Sequence, residues 1–311
     1  IGQYIVEILS KNPKYQLHLL IRNTSKIPES WKNNSCINIL SGDLQNIESY
    51  KTLLQEKINI AILIATSWGG AKEAYDINVV KTVSLLKMLN LEICEQVLYF
   101  STASILDRDN NLLSEANQFG TDYIRTKYQC LTQLSELEIS DRIVALFPTL
   151  VFGGDNNKPL SHLSSGLPEI IRWLGLIRWF RADGSLHYVH AQDIAYVVNY
   201  LVEYPEAKHQ CDTSNKAIKY LVLGNASMTV DEAIADICQY FQQRIYLRIP
   251  LYIWLANILI KLFNIQMDSW SYFSLNYRHF TYQNPVSPAT FGLNNHCSSL
   301  SEVMQVSGLL P

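Results

Sequence analysis

Tyr123 and Lys127 are the residues of this sequence whose types and spacing suggest chemistry. A separation of four residues places the two side chains on one face of a helix. A lysine ammonium near a phenol favours the phenolate and lowers the pKa of the tyrosine. The hydroxyl of Thr102, upstream in the chain, would hold a substrate oxygen beside that phenol. The three side chains would then move a proton to or from a carbinol or carbonyl oxygen.

The same spacing occurs a second time, at Tyr204 and Lys208. A chain with 18 tyrosines yields such a match by chance, so the motif alone decides nothing. Pro205 lies between the second pair and favours a turn there. Tyr123 instead opens a predicted helix after a polar loop. The context therefore favours Tyr123 and Lys127 as the catalytic pair.

Composition excludes several classes of function. The 311 residues are 48% hydrophobic and 17% charged, which is typical of a well-buried globular protein, and the formal net charge of -3 gives no electrostatic basis for nucleic-acid binding. Six cysteines occur without a Cys-x-x-Cys pair, which predicts reduced thiols in a cytoplasmic protein. His187 and His190 lack carboxylate or thiol company at metal-ligand spacing, so we expect no metal site.

The most apolar stretch is residues 249–265, but Pro250, Asn257 and Lys261 interrupt it. It falls short of the roughly 20 apolar residues that a membrane span needs. We expect a buried or surface-lying helix here, and we do not expect contact with a membrane surface. Such contact remains a third functional hypothesis. No signal peptide is visible, and the chain begins at Ile1 and not at Met, so we interpret it as part of a longer protein.

Strand and helix patterns alternate through the first half of the chain. Continuous apolar runs such as residues 58–65 are typical of parallel strands covered on both faces. The alternation predicts an α/β fold with a Rossmann-like, doubly wound parallel sheet. Ligands of such sheets bind where the strands end. The predicted strand-end loops are at residues 22–23, 43–44, 66–67, 101–102 and 148–149.

The pattern loosens after residue 152. We therefore predict a dinucleotide-binding region over residues 1–152 and a smaller, mainly substrate-binding lobe over residues 153–311. The two are expected to interleave, with strands near 187–189 and 220–223 returning to the first region. A Trp-rich helix is predicted over residues 168–180, and Thr229 is expected to cap a helix over residues 230–240.

Several short segments, taken in their order and spacing along the chain, resemble those of the extended short-chain dehydrogenases/reductases of the NAD(P)-dependent epimerase/dehydratase group. Residues 147–153 are similar to the family's Arg-Pro-x-x-Val-Tyr-Gly, and residues 188–195 to its Val-His-Val-x-Asp-Val-Ala. The other segments that carry the resemblance are Gly2 before an apolar helix, residues 41–44, residues 64–67, Asn78, and residues 100–104 before Tyr123.

The resemblance implies an enzyme that acts on a hydroxyl or carbonyl of a small molecule such as a nucleotide sugar. It assigns catalysis to Tyr123, Lys127, Thr102 and Asn78, with Ser101 and Ser104 as alternatives to Thr102. A homodimer is also considered. The cofactor-binding residues implied are Gly2, Arg22, Asp43, Leu44, Ala65, Thr66, Ser67, Lys127, Pro148 and Thr149.

The cofactor preference rests on Arg22, at the end of the second expected strand. An acidic residue there would bind the ribose of NAD, whereas an arginine suits the 2′-phosphate of NADP. No Asp or Glu occurs over residues 17–27, so we expect NADP, with NAD as the alternative.

The chain also departs from the family pattern. The first strand and the first glycines of the phosphate loop are absent, so dinucleotide binding is expected to be poor. The arginine of the Arg-Pro segment is Leu146 or Phe147 here. A second hypothesis is therefore a catalytically weak nucleotide-binding scaffold or accessory subunit with the same fold.

Overall fold

The structure is a computed structural model that describes residues 1–155, 157–212, 214, 216–262 and 266–311. It divides the chain into two compact units. The first comprises Ile1–Ile105, Thr121–Phe147 and Ala195–Leu221. The second comprises Leu106–Gly120, Pro148–Ile194 and Val222–Pro311. Both units are thus built from segments that are distant in the sequence, and residues 195–221 join the first unit although they follow residue 152.

Strands and helices alternate along the described chain. The strands are β1 Leu17–Ile21, β2 Ile37–Ser41, β3 Ile60–Leu63, β4 Gln96–Phe100, β5 Ile143–Pro148, β6 Leu150–Phe152, β7 Phe180–Arg181, β8 Ser185–Leu186, β9 Tyr188–His190, β10 Lys219–Leu223, β11 Met228–Thr229, β12 Ile249–Pro250 and β13 His279–Phe280.

The α-helices are α1 Gly2–Leu9, α2 Glu29–Lys32, α3 Lys51–Glu56, α4 Ala71–Tyr75, α5 Thr82–Met88, α6 Ser114–Phe119, α7 Asp122–Leu134, α8 His162–Ile177, α9 Ala191–Glu203, α10 Lys208–Cys211, α11 Val230–Tyr240, α12 Ile253–Leu262, α13 Ser269–Tyr277 and α14 Leu300–Val306. A π-helical segment, Asp76–Lys81, joins α4 to α5. Tighter 3₁₀ turns cover Thr24–Lys26, Leu44–Tyr50, Ala103–Ile105, Glu138–Arg142, Pro205–Ala207 and Pro288–Phe291.

A four-stranded sheet with the order β10-β5-β4-β3 forms the centre of the first unit. The pairs β3–β4 and β4–β5 are parallel, as the alternating pattern predicts. Every residue of β4 and β5 is buried, because parallel strands of this class are covered on both faces. The α/β, Rossmann-like fold class predicted from the sequence is confirmed.

A separate parallel pair, β1 and β2, lies in the same unit. An apolar cavity of about 430 Å³ is lined by side chains of both β1 and β3, including Leu19, Ile21 and Ile62. Among the described residues, no strand pairs with β1 or β3 on this side. The described strands therefore form two separate sheets, with the cavity between β1 and β3, where the resemblance implies a missing first strand.

Helix α7 carries the predicted catalytic pair and begins where its sequence predicts. The side chain of Thr121 accepts a hydrogen bond from the backbone N–H of Ile124, which caps the helix. Asp122 lies in the first turn, where an acidic side chain interacts favourably with the helix dipole. The apolar face of the helix, which includes Cys130, Leu131 and Leu134, is buried. Capping and burial together fix the direction of the Tyr123 and Lys127 side chains.

The second unit contains short strands around an apolar core of its own. Strand β9 pairs in parallel with β6, and a small sheet has the order β11-β8-β13. The prediction that a strand near 187–189 returns to the first region is wrong, because β9 bonds to β6 and not to the four-stranded sheet. The strand near 220–223 does join that sheet, as β10.

For two helices of the second unit, α11 and α8, the observed first residue can be compared with the predicted one. Thr229 caps α11, as expected, and forms a capping box with Glu232 there. The Trp-rich helix α8 begins at His162 and not at Pro168, because Ser161 accepts a hydrogen bond from the N–H of Ser164 and caps it there. Pro168 is then in the second turn of the helix.

The described residues contain no helix with both the length and the apolarity needed to cross a bilayer. Helix α12 covers only ten residues of the stretch 249–265, and residues 263–265 lie outside the described residues. All six cysteines are free thiols, as predicted.

Candidate active site

Lys127 connects helix α7 to the end of strand β4. Its ammonium is buried, with 2% of the residue exposed, and Nζ donates a hydrogen bond to the backbone carbonyl of Phe100 at 2.7 Å. Nζ lies 6.0 Å from the ring centre of Tyr123. Phe100 is the last residue of β4, and Thr102 follows two residues later. The structure thus places the three predicted residues Tyr123, Lys127 and Thr102 near the end of β4 in the first unit.

Burial dominates the titration of this pair. It raises the pKa of Tyr123 to about 12, although a hydrogen bond with Thr102 acts in the opposite direction. Burial also lowers the pKa of Lys127 from 10.5 to about 8. The expectation that Lys127 lowers the pKa of the phenol is not met in this structure, because burial raises that pKa and the Lys127 ammonium bonds to the carbonyl of Phe100 and not to the phenol. Tyr123 is a protonated phenol at neutral pH.

Trp68 covers the ring of Tyr123. The two rings are stacked with their centroids 4.0 Å apart and an interplanar angle of 9°. Trp68 itself is 70% exposed, so its other face is open to solvent. It follows directly after Thr66 and Ser67, which were predicted from the sequence, but nothing in the sequence pattern pointed to Trp68 itself.

Tyr99 lies behind the lysine. Its ring centre is 5.0 Å from Nζ of Lys127, which is the range of a cation–π contact. The residue is almost completely buried, with 1% exposed. An aromatic face on one side and the Phe100 carbonyl on the other thus hold an ammonium group that burial destabilises. This contact was not predictable from sequence patterns, since Tyr99 lies within an apolar strand.

Asn78 ties the loop after β3 to helix α7. Its Oδ1 accepts hydrogen bonds from the backbone N–H of Ser67 at 2.8 Å and from the hydroxyl of Thr66 at 3.0 Å. Its Nδ2 donates to the carbonyl of Ser67 at 2.9 Å and to the hydroxyl of Thr126 at 3.0 Å. Asn78 is fully buried and belongs to the π-helical segment. Its amide therefore orders the loop that carries Trp68, and it reaches α7 through Thr126.

A polar groove of about 440 Å³ lies at the ends of β1, β2 and β3. It collects six of the predicted cofactor-binding residues. These are Arg22, Asp43, Leu44, Ala65, Thr66 and Ser67. Trp68 lines the same groove and stacks on Tyr123, so the groove and Tyr123 share one aromatic side chain.

Charges in the groove are partly paired. Nη1 of Arg22 lies 3.9 Å from Oδ2 of Asp43, and the Arg22 side chain is 78% exposed. Asp43 also accepts a hydrogen bond from the N–H of Gln45 at 3.0 Å, which fixes the turn after β2. Ser67 Oγ donates to Glu73 Oε1 at 3.0 Å. Glu73 was not predicted, because its position in a helix gave no sign that it faces the groove.

Three predicted cofactor residues lie elsewhere. Gly2 lines the apolar cavity between β1 and β3, and a Cβ placed on it would meet Ile64 Cδ1 at 3.8 Å. Pro148 and Thr149 belong to the second unit. There the backbone N–H and the hydroxyl of Thr149 both bond to the carbonyl of Leu223, at 3.1 and 2.9 Å.

In the second unit, the structure assembles side chains that sequence spacing could not connect. The potential ligand atoms of His190, His296 and Cys297 lie within 4.8 Å of one another. Asp193 fixes this loop, because its carboxylate accepts hydrogen bonds from the N–H groups of His296 and Cys297 at 2.5 and 3.2 Å. Burial raises the pKa of Cys297 to about 12, so the thiol is protonated at neutral pH.

Comparison with known protein families adds to the evidence from the geometry of the site. The sequence profile of the NAD dependent epimerase/dehydratase family matches residues 1–215, which is more than half of the chain. The chain belongs to this family. The predicted resemblance is therefore confirmed. The matched range contains the four predicted catalytic residues and all the predicted cofactor residues. No curated protein matches the chain in sequence.

Solved structures of similar fold extend over nearly the whole chain. The protein gox2253 is 16% identical, with a TM-score of 0.68 and coverage of 100% of this chain and 96% of that one. dTDP-glucose 4,6-dehydratase from Bacillus anthracis, in complex with NAD, is 11% identical, with a TM-score of 0.61 and coverage of 99% and 92%. UDP-glucuronic acid 4-epimerase from Bacillus cereus is 15% identical, with a TM-score of 0.60 and coverage of 99% and 95%. At these identities the likeness shows a shared fold.

Proposed function

We propose that the protein is an NAD(P)-dependent oxidoreductase, epimerase or dehydratase that acts on a hydroxyl or carbonyl group of a small molecule. The observation that carries this proposal is the joint placement of Tyr123, Lys127 and Thr102 at the end of β4, next to the groove that Trp68 shares. Family membership supports the same reaction class.

In the proposed reaction Tyr123 exchanges a proton with the substrate oxygen, and Thr102 orients that oxygen. Burial keeps the phenol protonated before the substrate binds, which suits a proton donor to a carbonyl. To accept a proton from an alcohol, Tyr123 must be stabilised as phenolate by the ammonium of Lys127. That lysine would have to leave the Phe100 carbonyl, or act on the phenol from its present place, where Nζ lies 6.0 Å from the ring centre of Tyr123. A bound nicotinamide would supply the hydride chemistry.

The groove fits the adenosine end of a dinucleotide. It offers the Asp43 carboxylate, the Arg22 guanidinium, and the hydroxyls of Thr66 and Ser67, beside the apolar side chains of Leu44 and Ala65. Parallel sheets bind ligands at such strand ends. We assign these residues to adenosine and its ribose, and Lys127 to the ribose of the nicotinamide.

We propose NADP as the cofactor and keep NAD as the alternative. Arg22 supports NADP, because its guanidinium is 78% exposed at the rim of the groove, where it is accessible to a 2′-phosphate. Asp43 weakens that preference, since its carboxylate lies 3.9 Å from the guanidinium and would also face the phosphate. Binding measurements with the two cofactors decide between these effects.

A nucleotide sugar is the substrate class we propose. Two proteins of similar fold have names that give dTDP-glucose and UDP-glucuronic acid as their substrates. The first unit supplies the groove and the catalytic pair, so we assign substrate binding mainly to the second unit.

A second candidate function is a nucleotide-binding scaffold with weak chemistry. One observation favours it. Lys127 Nζ bonds to the backbone of Phe100, and the pKa of the phenol is raised and not lowered. A protein of this kind would keep the groove and bind the cofactor without turning over substrate.

The test has two parts, both with the full chain. Calorimetric titration with NADP⁺ and NAD⁺ measures cofactor binding, and a panel of nucleotide sugars then measures turnover through the change in nicotinamide absorbance and the products formed. Binding with turnover supports the enzyme. Binding without turnover on the whole panel supports the scaffold. Failure to bind either cofactor overturns both proposals.

A further inference from the structure

The second unit exposes a large apolar surface that the proposed reaction does not use. One part is a stripe on helix α8, formed by Ile170, Trp173 and Leu176, which are 43%, 49% and 53% exposed. These residues are three apart, so their side chains lie along one side of the helix. Large exposed apolar surfaces of this kind mark sites of contact with a partner or a membrane.

Helix α12 carries the second part. Trp254, Ile258 and Leu262 recur every four residues and are 61%, 51% and 73% exposed. This spacing puts the three side chains on one face of the helix. The sequence led us to expect either a buried helix or a surface-lying helix over residues 249–265. In the described part of this stretch the helix lies on the surface, so the expectation of a buried helix is wrong there.

A pair of short strands joins the two stripes. Strand β7, which follows α8, pairs in parallel with β12, which precedes α12. Beside this pair, Trp179 stacks on Tyr246 with centroids 5.4 Å apart and an interplanar angle of 19°. The stripes and this linking pair together form what we call the aromatic face. Leu247, which is 87% exposed, extends it.

Positive charge accompanies the aromatic face. The guanidinium of Arg178 lies 6.0 Å from the ring centre of Trp179 and 5.8 Å from that of Tyr246. The sequence contains no acidic residue over positions 237–267, where Arg244, Arg248 and Lys261 occur. Cations thus lie among the exposed apolar side chains without acids in the same segment.

The acids at the edge of the face neutralise only part of this charge. Asp231 pairs with Arg181 at 2.9 Å and with Arg248 at 3.2 Å. Glu169 pairs with Arg172 at 3.5 Å. Neither Arg244 nor Lys261 has an ion-pair partner among the described residues. The face as a whole therefore remains basic.

We propose that the aromatic face binds the surface of a membrane that contains anionic lipid. Aliphatic and tryptophan side chains would enter the boundary between headgroups and acyl chains, with arginine and lysine reaching the phosphates. Anionic lipid is the occupant that matches both the apolar side chains and the basic charge. Helices α8 and α12, which carry the two stripes, have 16 and 10 residues in the described part of the chain, fewer than the roughly 20 that a span needs, so in this proposal they lie along the membrane surface. This inference does not depend on the proposed reaction.

The test is sedimentation of the full chain with vesicles of phosphatidylcholine alone and of phosphatidylcholine mixed with phosphatidylglycerol. The protein is expected to sediment with the mixed vesicles and to be released by high salt, because salt screens the attraction to the lipid charge. Binding to the mixed vesicles should exceed binding to the neutral ones by about tenfold or more, given several exposed cations.

Matched variants locate the binding surface. Leu262→Glu should weaken vesicle binding by about tenfold, because a large apolar side chain no longer enters the lipid. Leu310→Glu, at a side chain that is 85% exposed outside the face, should leave binding unchanged. Lys261→Glu should weaken binding to anionic vesicles by about fivefold or more, whereas Lys14→Glu should not. Circular dichroism confirms that each variant is folded.

Three outcomes would overturn the proposal. The first is a wild-type protein that sediments with neither vesicle. The second is equal loss of binding in Leu262→Glu and Leu310→Glu. The third is a dimer in solution that Leu262→Glu dissociates, since a second copy of the chain would then cover the aromatic face.

Discussion

Two regions of the first unit contain the same motif, Tyr-x-x-x-Lys, in opposite environments. Tyr123 and Lys127 lie on one capped helix, with the lysine 2% exposed. Tyr204 is 51% exposed and precedes the 3₁₀ turn Pro205–Ala207, and Lys208 only begins the next short helix. In the second copy the spacing of four does not produce a shared helix face. Chemistry therefore depends on what surrounds the motif.

The environments differ most in the neighbours of the two tyrosines. Tyr123 stacks on Trp68 and bonds to Thr102, at the edge of a polar groove. Tyr204 contacts the ring of Tyr200, with centroids 4.7 Å apart, and faces solvent. Desolvation shifts the pKa values of Tyr123 and Lys127, as is common at functional sites. The comparison makes each substitution in the first pair testable against a matched substitution in the second.

The largest expected effect is on turnover. Tyr123→Phe removes the proton-transfer group and should lower kcat by about 10²–10⁴-fold with any substrate found. Tyr204→Phe should leave kcat unchanged. The steady-state rates of both variants and the wild type provide the check. Equal rates in the wild type and Tyr123→Phe would end the assignment of Tyr123.

The next effect concerns stability and pH. The pKa of Lys127 is about 8 in the folded protein and near 10.5 when unfolded, so between these values the unfolded chain holds more protons. The contribution of Lys127 to the free energy of unfolding should therefore rise by on the order of 2–3 kcal/mol from about pH 8 to 10. Above about pH 9 the buried thiols act in the opposite direction, because burial raises the pKa of Cys130 and Cys211 to about 11 and that of Cys297 to about 12. Above about pH 10 the raised pKa of Tyr123 works in the opposite direction.

Denaturant unfolding across this pH range tests the assignment to Lys127. Lys127→Met removes the buried ammonium, so the difference in the free energy of unfolding between the wild type and this variant should change with pH by that amount, while the difference between the wild type and Lys208→Met should not. The same pH dependence in the wild type and Lys127→Met would contradict the assignment to Lys127.

A smaller effect is expected at the amide that orders the Trp68 loop. Asn78→Ala leaves the buried backbone N–H and carbonyl of Ser67 without their partner and should cost roughly 2 kcal/mol of stability. Asn276→Ala is the control, because the exposed Asn276 makes one hydrogen bond, to the Tyr272 carbonyl. The midpoints of urea unfolding compare them, and equal midpoints would contradict the structural role of Asn78.

The smallest effect is on cofactor choice. Arg22→Ala should weaken NADP⁺ binding by about tenfold and leave NAD⁺ binding unchanged, since only NADP⁺ carries the 2′-phosphate. Arg172→Ala, in the second unit, should change neither dissociation constant. If Arg22→Ala binds NADP⁺ as tightly as the wild type does, Arg22 does not select NADP⁺, and NAD becomes the expected cofactor.

Local patterns in the sequence predicted much of this arrangement. The buried strands β4 and β5, the cap of α11 at Thr229 and the loop at Thr66 and Ser67 each follow from residues that are close together in the chain. The position of the Tyr123 motif after a strand end also separated it from the second copy before the structure was known.

Features that depend on contacts between distant residues were not predictable. Trp68 stacks on Tyr123, 55 positions away in the sequence. Lys127 bonds to the backbone carbonyl of Phe100, a group that every residue has and that therefore leaves no mark in the sequence. The pairing of β9 with β6 and the cluster of His190 with His296 have the same cause. Periodicity describes which face of an element is apolar, but not which element covers it.

A crystal structure of the protein with bound NADP⁺ tests the central claim most directly. We predict the adenosine end in the groove beside Arg22 and Asp43, and a ribose hydroxyl of the nicotinamide half within hydrogen-bond distance of Lys127 Nζ. A cofactor bound elsewhere, with the Lys127 ammonium still on the Phe100 carbonyl and out of reach of the ribose, would contradict the account.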